Sequence, residues 1–361
     1  MATYARRFIG AGVRLVGGCC GTTPEHTRQI AAAVRTMAPR VRQAPTPASE
    51  GSDSRRPEVA TVARREKSAL ARAIDDRQFV VIVEVMAPRG ADLAAPVAQA
   101  KRFSTLGAAA VNVPDYPKSG ARASAMAVAS LVEQGHVETV LHYSCRDRTL
   151  LGMQSDLVGA HAMGIRNVLL TTGNPTVQGS YADATSVFDI DAIGLTNMAV
   201  RLNRGLDIGG QPLGAATRFH IGVAVNPFAP DLDAEWRRLD HKIEAGAEFL
   251  VTPPILDIGA FEPTVQRLRQ TGLPVIAGLA ALESLRHAEF LASEVVGVRV
   301  ADDVLDRLTR AADPAEEALA ISTEIASWLR GRVQGLQITT VHGSAATAER
   351  LLERLAPMLA K

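Results

Sequence analysis

The spacing of hydrophobic residues divides the chain. From about residue 79 onward a short apolar run is followed by a stretch with apolar positions three and four apart, and the pair recurs to the end. The apolar runs predict strands at 79–86, 109–113, 139–143, 167–172, 219–225, 249–252, 274–279 and 335–341. The helical period predicts helices at 93–106, 123–133, 150–163, 190–203, 233–245, 264–271, 285–292 and 345–359, with an extra pair at 304–310 and 314–330 before the last strand. Gly107, Gly135, Gly164, Gly246 and Gly272 punctuate the helix ends. Eight strand–helix units predict an α/β fold of the (β/α)₈ TIM-barrel type rather than an open sheet.

Upstream the pattern differs. Val13 to Gly18 reads as one strand, and Thr23, Pro24 and Glu25 supply a cap, a first-turn proline and a first-turn acid for one helix. A strand and a helix alone cannot bury a core. Residues 38–59 are rich in Pro, Ser, Arg and Gly without any hydrophobic period, the composition of a linker. The predicted organisation is therefore a strand–helix stub at 1–37, a flexible linker at 38–60 and the barrel at 61–361.

Composition sharpens this picture. Apolar residues make up 47% of the chain and aromatic residues only 4%, so the core is built from aliphatic side chains, as in parallel strands buried on both faces. With 39 basic and 38 acidic residues the net charge is +1, which argues against a dedicated nucleic-acid binder. No run reaches the roughly 18 apolar residues of a membrane span, and Met1 to Arg14 lacks a signal-peptide pattern, so the sequence reads as a cytoplasmic protein without a membrane partner. Cys19, Cys20 and Cys145 cannot form a disulfide framework.

In a barrel of this kind reactive groups stand at the C-terminal ends of strands. Glu84 lies inside the run Val80–Met86, where burial would raise its pKa and suit it to proton donation; the alternative is a structural acid paired with Lys or Arg. The third strand ends in a polar cluster, His142 to Asp147, with no second His or Cys at ligand spacing, so no metal is expected in the barrel. The fourth ends Thr171-Thr172-Gly173-Asn174, where Gly173 serves either a tight turn or close approach to a ligand. Glu235, Arg238 and Lys242 share one helix face, either a solvated ion-pair face or a contact for a cofactor's ribose and phosphates.

Two motifs carry family resemblances. Val16-Gly17-Gly18-Cys19-Cys20-Gly21-Thr22-Thr23-Pro24-Glu25-His26 resembles the final strand and helix of homocysteine S-methyltransferases, where adjacent cysteines supply two of three zinc thiolates. The third cysteine of that family has no counterpart here, so the stub reads as a remnant without a metal site. From about Ser68 the chain resembles the methylenetetrahydrofolate reductases, in particular the reductase half of methyltransferase–reductase fusions, through Val83-Glu84-Val85-Met86-Ala87-Pro88-Arg89 and the run Asp183–Asp189. The resemblance implies flavin-dependent reduction of 5,10-methylenetetrahydrofolate to 5-methyltetrahydrofolate, with FAD as cofactor and NAD(P)H as electron donor. Its partner would be a small folate-type molecule, and self-association into a homo-oligomer stays open. By that resemblance Glu84 is the general acid, and His142, Thr172, Gly173, Ala224, Glu235 and Lys242 fall at FAD contacts.

The chain also departs from the family pattern. Asn174 stands where the family has an Asp beside flavin and substrate, Pro114 replaces a Thr by the flavin, and Pro253 replaces a pterin-binding Gln. Leu285 replaces an aromatic residue that stacks on folate, and Gly343 lies near a missing Arg. The alternative is a divergent barrel with an altered pterin substrate, or a non-catalytic binding or regulatory subunit. Asn174 generates a direct test. A carboxylate beside a flavin disfavours its anionic reduced form, and a neutral amide does not. Asn174→Asp is expected to lower the midpoint potential of bound flavin in a reductive titration; an unchanged potential would remove residue 174 from the flavin's surroundings.

Overall fold

A computed structural model describes residues 2–13, 15–18, 22–35, 61–115, 121–174, 186–295, 297–340 and 344–359. The chain divides into two compact units, Met1–Glu58 and Val59–Lys361. The first contains the helices Ala2–Gly10 and Pro24–Arg35, which bury Ala5, Ile30 and Ala33. The second of these begins as its capping residues predict: the Thr23 hydroxyl accepts from the His26 amide at 3.4 Å and the Thr23 carbonyl from the Thr27 amide at 3.2 Å. The strand expected at residues 13–18 is not formed among the described residues, because an extended run becomes a strand only when a neighbour pairs its amides and carbonyls. The linker and both adjacent cysteines lie outside the described residues.

In the second unit the strands are β1 (Val80–Glu84), β2 (Ala110–Val113), β3 (Thr139–Ser144), β4 (Asn167–Thr171), β5 (His220–Ala224), β6 (Phe249–Leu256), β7 (Val275–Ala280), β8 (Arg299–Val300) and β9 (Gly335–Thr339). Strands β1 to β7 pair in sequence order, and β9 inserts between β7 and β1, so eight parallel strands close on themselves. The closed (β/α)₈ barrel is the expected fold, built from the eight expected runs. The two-residue β8 lies outside the ring and pairs with the far end of β6. The extra helical pair is also present, as Asp302–Arg310 and Pro314–Leu329.

The differences have local causes. Strand β6 continues past residue 252 through Pro253 and Pro254, with its register shifting between Val251 and Pro254, because prolines cannot donate to the ladder and survive there at a bulge. Gly278 on β7 admits the bulge; a Cβ at that position would lie 2.5 Å from the Pro253 carbonyl. The next helix starts at Ile258 rather than 264, capped by Asp257, whose carboxylate accepts from the Ala260 amide at 2.8 Å.

Successive strand residues alternate between the barrel interior and the helix-covered exterior. On β1, Val80 and Ile82 belong to the inner cluster with Val140, Leu169, Phe249 and Ile276, while Val81 and Val83 face the helix layer. Gly222 makes room inside for Phe249, whose ring would be 2.3 Å from a Cβ at 222. The helix Ala69–Asp75, absent from the sequence pattern, closes the bottom of the barrel with Leu70 and Ile74. Just before it, buried Lys67 donates to the Phe219 carbonyl at 3.0 Å and pairs with Glu248 at 2.8 Å. Among the described residues no helix is long and apolar enough to cross a membrane.

Breaking that ion pair leaves Glu248 largely buried without a counter-charge. Lys67→Ala is expected to lower the unfolding free energy by about 3 kcal/mol, measured by urea denaturation. A loss below ~1 kcal/mol would be the size of an exposed pair and would reject a structural role for this contact.

Candidate active site

Strand alternation that sends Val80 and Ile82 inward also sends Glu84 inward, at the C-terminal end of β1. Across the closing seam, Gly335, Gln337 and Thr339 of β9 share that orientation, while Leu336 and Ile338 face the helices. The polar side chains of Glu84, Gln337 and Thr339 therefore meet across the seam. They form the floor of a cavity of about 360 Å³ at the C-terminal mouth, walled by His142, Thr171, Ala224, Glu235, Lys242 and the Val251–Pro254 segment.

Glu84 is only 6% exposed, and no Lys or Arg pairs with it among the described residues, so the paired structural-acid alternative does not hold there. Burial raises its pKa above the usual carboxylate range. Hydrogen bonds from the Thr339 hydroxyl, the Thr340 amide at 3.2 Å and the Gln337 amide at 3.3 Å oppose that rise without cancelling it. Asn112 is in register with Glu84 on β2 and its amide also works to lower the Glu84 pKa, although among the described residues neither of its polar atoms reaches good hydrogen-bonding geometry. The buried Oε1 of Gln337 is likewise without a partner among the described residues.

The wall residues are similarly constrained. His142 Nε2 lies 3.1 Å from the Thr171 hydroxyl, and burial lowers its pKa against the partial opposition of Asp115. Lys242 Nζ donates to the Ala224 carbonyl at 2.8 Å and lies 3.9 Å from Glu235, which accepts from the Asn226 amide at 3.0 Å. Burial lowers the Lys242 pKa, with Glu235 opposing. Two of the three charged residues on this helix face thus line the cavity, and only Arg238 is exposed.

Of the residues singled out in the sequence, Glu84, His142, Ala224, Glu235 and Lys242 are brought together. Thr172, Gly173 and Asn174 instead form the turn just beyond β4. There the Thr172 hydroxyl accepts from the Ala192 amide at 3.0 Å, Gly173 adopts φ +85°, and the Asn174 carbonyl accepts from Arg146 at 3.1 Å. Gly173 is needed for packing too, since a Cβ would meet Arg146 at 2.9 Å. Pro114 and Pro253 line the cavity, Leu285 packs against the helix-layer core, and Gly343 lies outside the described residues, as does the run 183–189 up to residue 185.

Sequence reasoning missed Gln337, Thr339 and Asn112, although each is a polar residue at an inward position, Asn112 and Gln337 between outward aliphatic ones. It also missed Asp115, two residues beyond β2. Arg148 pairs with Asp115 at 2.7 Å and the Ser144 hydroxyl donates to it at 2.7 Å. Burial pushes the Asp115 carboxyl up, but the Arg148 charge and these hydrogen bonds outweigh it and hold the pKa below the usual range. Elsewhere in the polar cluster Tyr143 faces the helices and donates to Asp156 at 2.7 Å, while buried Cys145 has its thiol pushed up to about 12. Among the described residues no group of three or more His, Cys, Asp or Glu is placed to hold a metal ion.

The methylenetetrahydrofolate reductase family matches residues 69–355, most of the chain and the whole of this site. The chain belongs to that family. A second match, to homocysteine S-methyltransferase, covers only residues 1–34. Methylenetetrahydrofolate reductase 1 of Schizosaccharomyces pombe is 24% identical over 61% of this chain and 36% of its own length. A protein of Caenorhabditis elegans named a probable methylenetetrahydrofolate reductase (NADPH) is 25% identical over 50% of this chain and 26% of its own length. The matched part of the chain thus spans only 26% to 36% of the length of these curated relatives. Among solved structures, a Clostridium thermocellum protein described as binding two copies of 5-methyl-5,6,7,8-tetrahydrofolic acid superposes with a TM-score of 0.57. At 12% identity, covering 81% of this chain and all of that one, it shares the fold of this reductase-family chain.

The raised pKa of Glu84 has a measurable sign. Its ordinary value is 4.5, and the native state keeps the proton above that pH while the unfolded state loses it. Its contribution to stability is present below 4.5 and is lost as pH rises through the higher native value. Glu84→Gln is expected to lose less stability than wild type between pH 4.5 and neutrality in denaturant titrations. Gln337→Leu, which removes a donor to the charged form, is expected to move the Glu84 carboxyl infrared band to still higher pH; a shift to lower pH would reject the hydrogen-bond account.

Proposed function

We propose that this chain reduces 5,10-methylenetetrahydrofolate to 5-methyltetrahydrofolate, with FAD as the bound cofactor and NAD(P)H as the electron source. The observation that carries this reading is a family member's barrel floor holding a buried carboxyl, raised in pKa by burial and hydrogen-bonded by neutral donors. Such a group suits proton donation, because burial favours its neutral form and the donors around it stabilise the charge left behind.

The cavity's chemistry fits a flat heteroaromatic group. Its walls are largely aliphatic, from Leu169, Val251, Pro253, Pro254 and Gly278, and its floor offers to an N–H edge the Gln337 Oε1, which has no partner among the described residues. Lys242, Glu235, Ala224 and His142 would hold the cofactor, with Thr172, Gly173 and Asn174 on the turn after β4. FAD, when bound, supplies reversible two-electron hydride transfer. The chain's own part is positional and acid–base. Glu84 Oε1 or Oε2 delivers a proton to a pterin nitrogen, the C–N bond of the methylene bridge opens, and the carbon becomes electrophilic. Thr339, Thr340 and Gln337 then stabilise the carboxylate left behind.

A second reading, an altered pterin carrier on the same barrel, is favoured by Pro253. It lines the cavity where the resemblance calls for a Gln, and proline offers neither amide donor nor side-chain acceptor.

Glu84→Gln is expected to fold and to retain flavin, judged by its absorbance spectrum, yet lose methylenetetrahydrofolate turnover by ~10²-fold or more. Wild-type turnover in this variant would exclude Glu84 as the acid. Flavin-loaded wild-type protein that turns over a different reduced pterin, but not methylenetetrahydrofolate, would select the second reading.

A further inference from the structure

A second concave feature lies on the opposite face of the barrel, at the N-terminal ends of β1, β7 and β9. This groove, of about 880 Å³, is lined by Arg64, Arg77, Arg269, Arg330 and Arg332, and by one acidic residue, Asp75. Five guanidinium groups and one carboxylate concentrate a charge of +4 in a chain whose net charge is +1.

Among the described residues none of these arginines is paired with a carboxylate. Their partners are neutral. Arg269 donates to the carbonyls of Gly331 at 2.8 Å and Arg332 at 3.3 Å. Arg332 donates to the Trp328 carbonyl at 2.8 Å and lies 4.2 Å from the centre of the Trp328 ring, while Arg330 lies over Phe79 at 6.0 Å. These contacts fix the direction of the side chains without cancelling their charge.

A simpler explanation is helix capping, because the helices Ala69–Asp75, Ile258–Gln270 and Pro314–Leu329 all end at this face. Three helix C-termini contribute about −0.5 charge each, roughly −1.5 together, which leaves the groove strongly positive. Capping also uses only two donors of Arg269 and one of Arg332, out of about five on each guanidinium. The side chains of Arg64, Arg77 and Arg330 make no hydrogen bond to the described residues, so their guanidinium groups cap no helix there. Below the arginines, Ile74, Leu273, Val275 and Val333 give the groove an apolar floor, which lowers the local dielectric and strengthens attraction for an anion.

We propose that this groove binds the oligophosphate group of a small molecule. Guanidinium forks match phosphate oxygens in pairs, and several forks converging on one groove match several linked phosphates better than a single carboxylate. The site is separate from the cavity around Glu84 and stands whether or not the proposed reductase activity does.

The test is calorimetric titration of the full chain with inorganic triphosphate at fixed ionic strength, with sulfate and citrate as comparison anions. Saturable one-to-one binding of triphosphate, tighter than either comparison anion, is expected. A parallel titration with a nucleoside triphosphate separates two sources of the phosphate. Tighter binding than inorganic triphosphate assigns the apolar floor to a base, and equal binding assigns recognition to the phosphates alone.

Combined Arg77→Ala and Arg330→Ala is expected to weaken triphosphate binding by roughly tenfold to a hundredfold. Arg77→Lys with Arg330→Lys, which keeps charge but loses the forks, should fall between. Arg286→Ala, an exposed arginine elsewhere, should bind as wild type. Absence of saturable binding by wild type up to about 1 mM, equal binding of citrate, or wild-type affinity in the double alanine variant would each overturn the proposal.

Discussion

The parallel ladder between β1 and β9 is the constraint on which the rest of this molecule depends. It pairs Val80 with Gly335 and Val83 with Ile338, and that register puts Glu84 level with Thr339 and beside Gln337. A slip of one residue would turn Gln337 and Thr339 into the helix layer and replace them at the floor with Leu336 and Ile338. The acid would then lose the Gln337 and Thr339 donors to its charged form. Gly335 secures the register at the other end, since a Cβ there would lie 2.4 Å from the Val80 carbonyl. Barrel closure and site chemistry are thus set by the same few hydrogen bonds.

Much of the fold was legible because each strand is a short aliphatic run buried on both faces and ended by turn residues. The elements that escaped notice are those whose stability comes from elsewhere in space. Arg64–Lys67 and Ala69–Asp75 carry no strong local pattern; Lys67 is held by Glu248, and Leu70 and Ile74 by the barrel interior. The strand extension through Pro253 and Pro254 runs against local propensity, and only the missing side chain of Gly278 makes it feasible.

The candidate site was legible in part for the same reason. Glu84 announces itself as an acid inside an apolar run. Gln337, Thr339 and Asn112 were equally readable by strict alternation, but a neutral polar residue in a strand draws less notice than a charge. The inward turn of Lys242 was not readable: the spacing of Glu235, Arg238 and Lys242 fixes a shared face, whereas the rotation of that face depends on the Ala224 carbonyl. The roles of Thr172, Gly173 and Asn174 rest on resemblance, and the geometry assigns them a turn.

Glu84 and Gln337 are 253 positions apart along the chain, with nearly the whole barrel between them. Contacts of such separation form late, because most of the loop-closure entropy must be met before they contribute. During synthesis the first strand leaves the ribosome long before the last, so its carboxyl stays hydrated and ordinary until the ring is complete. Partly made or truncated chains would therefore carry the acid without its chemistry, and proton-donating capacity would report on completed assembly rather than on secondary structure.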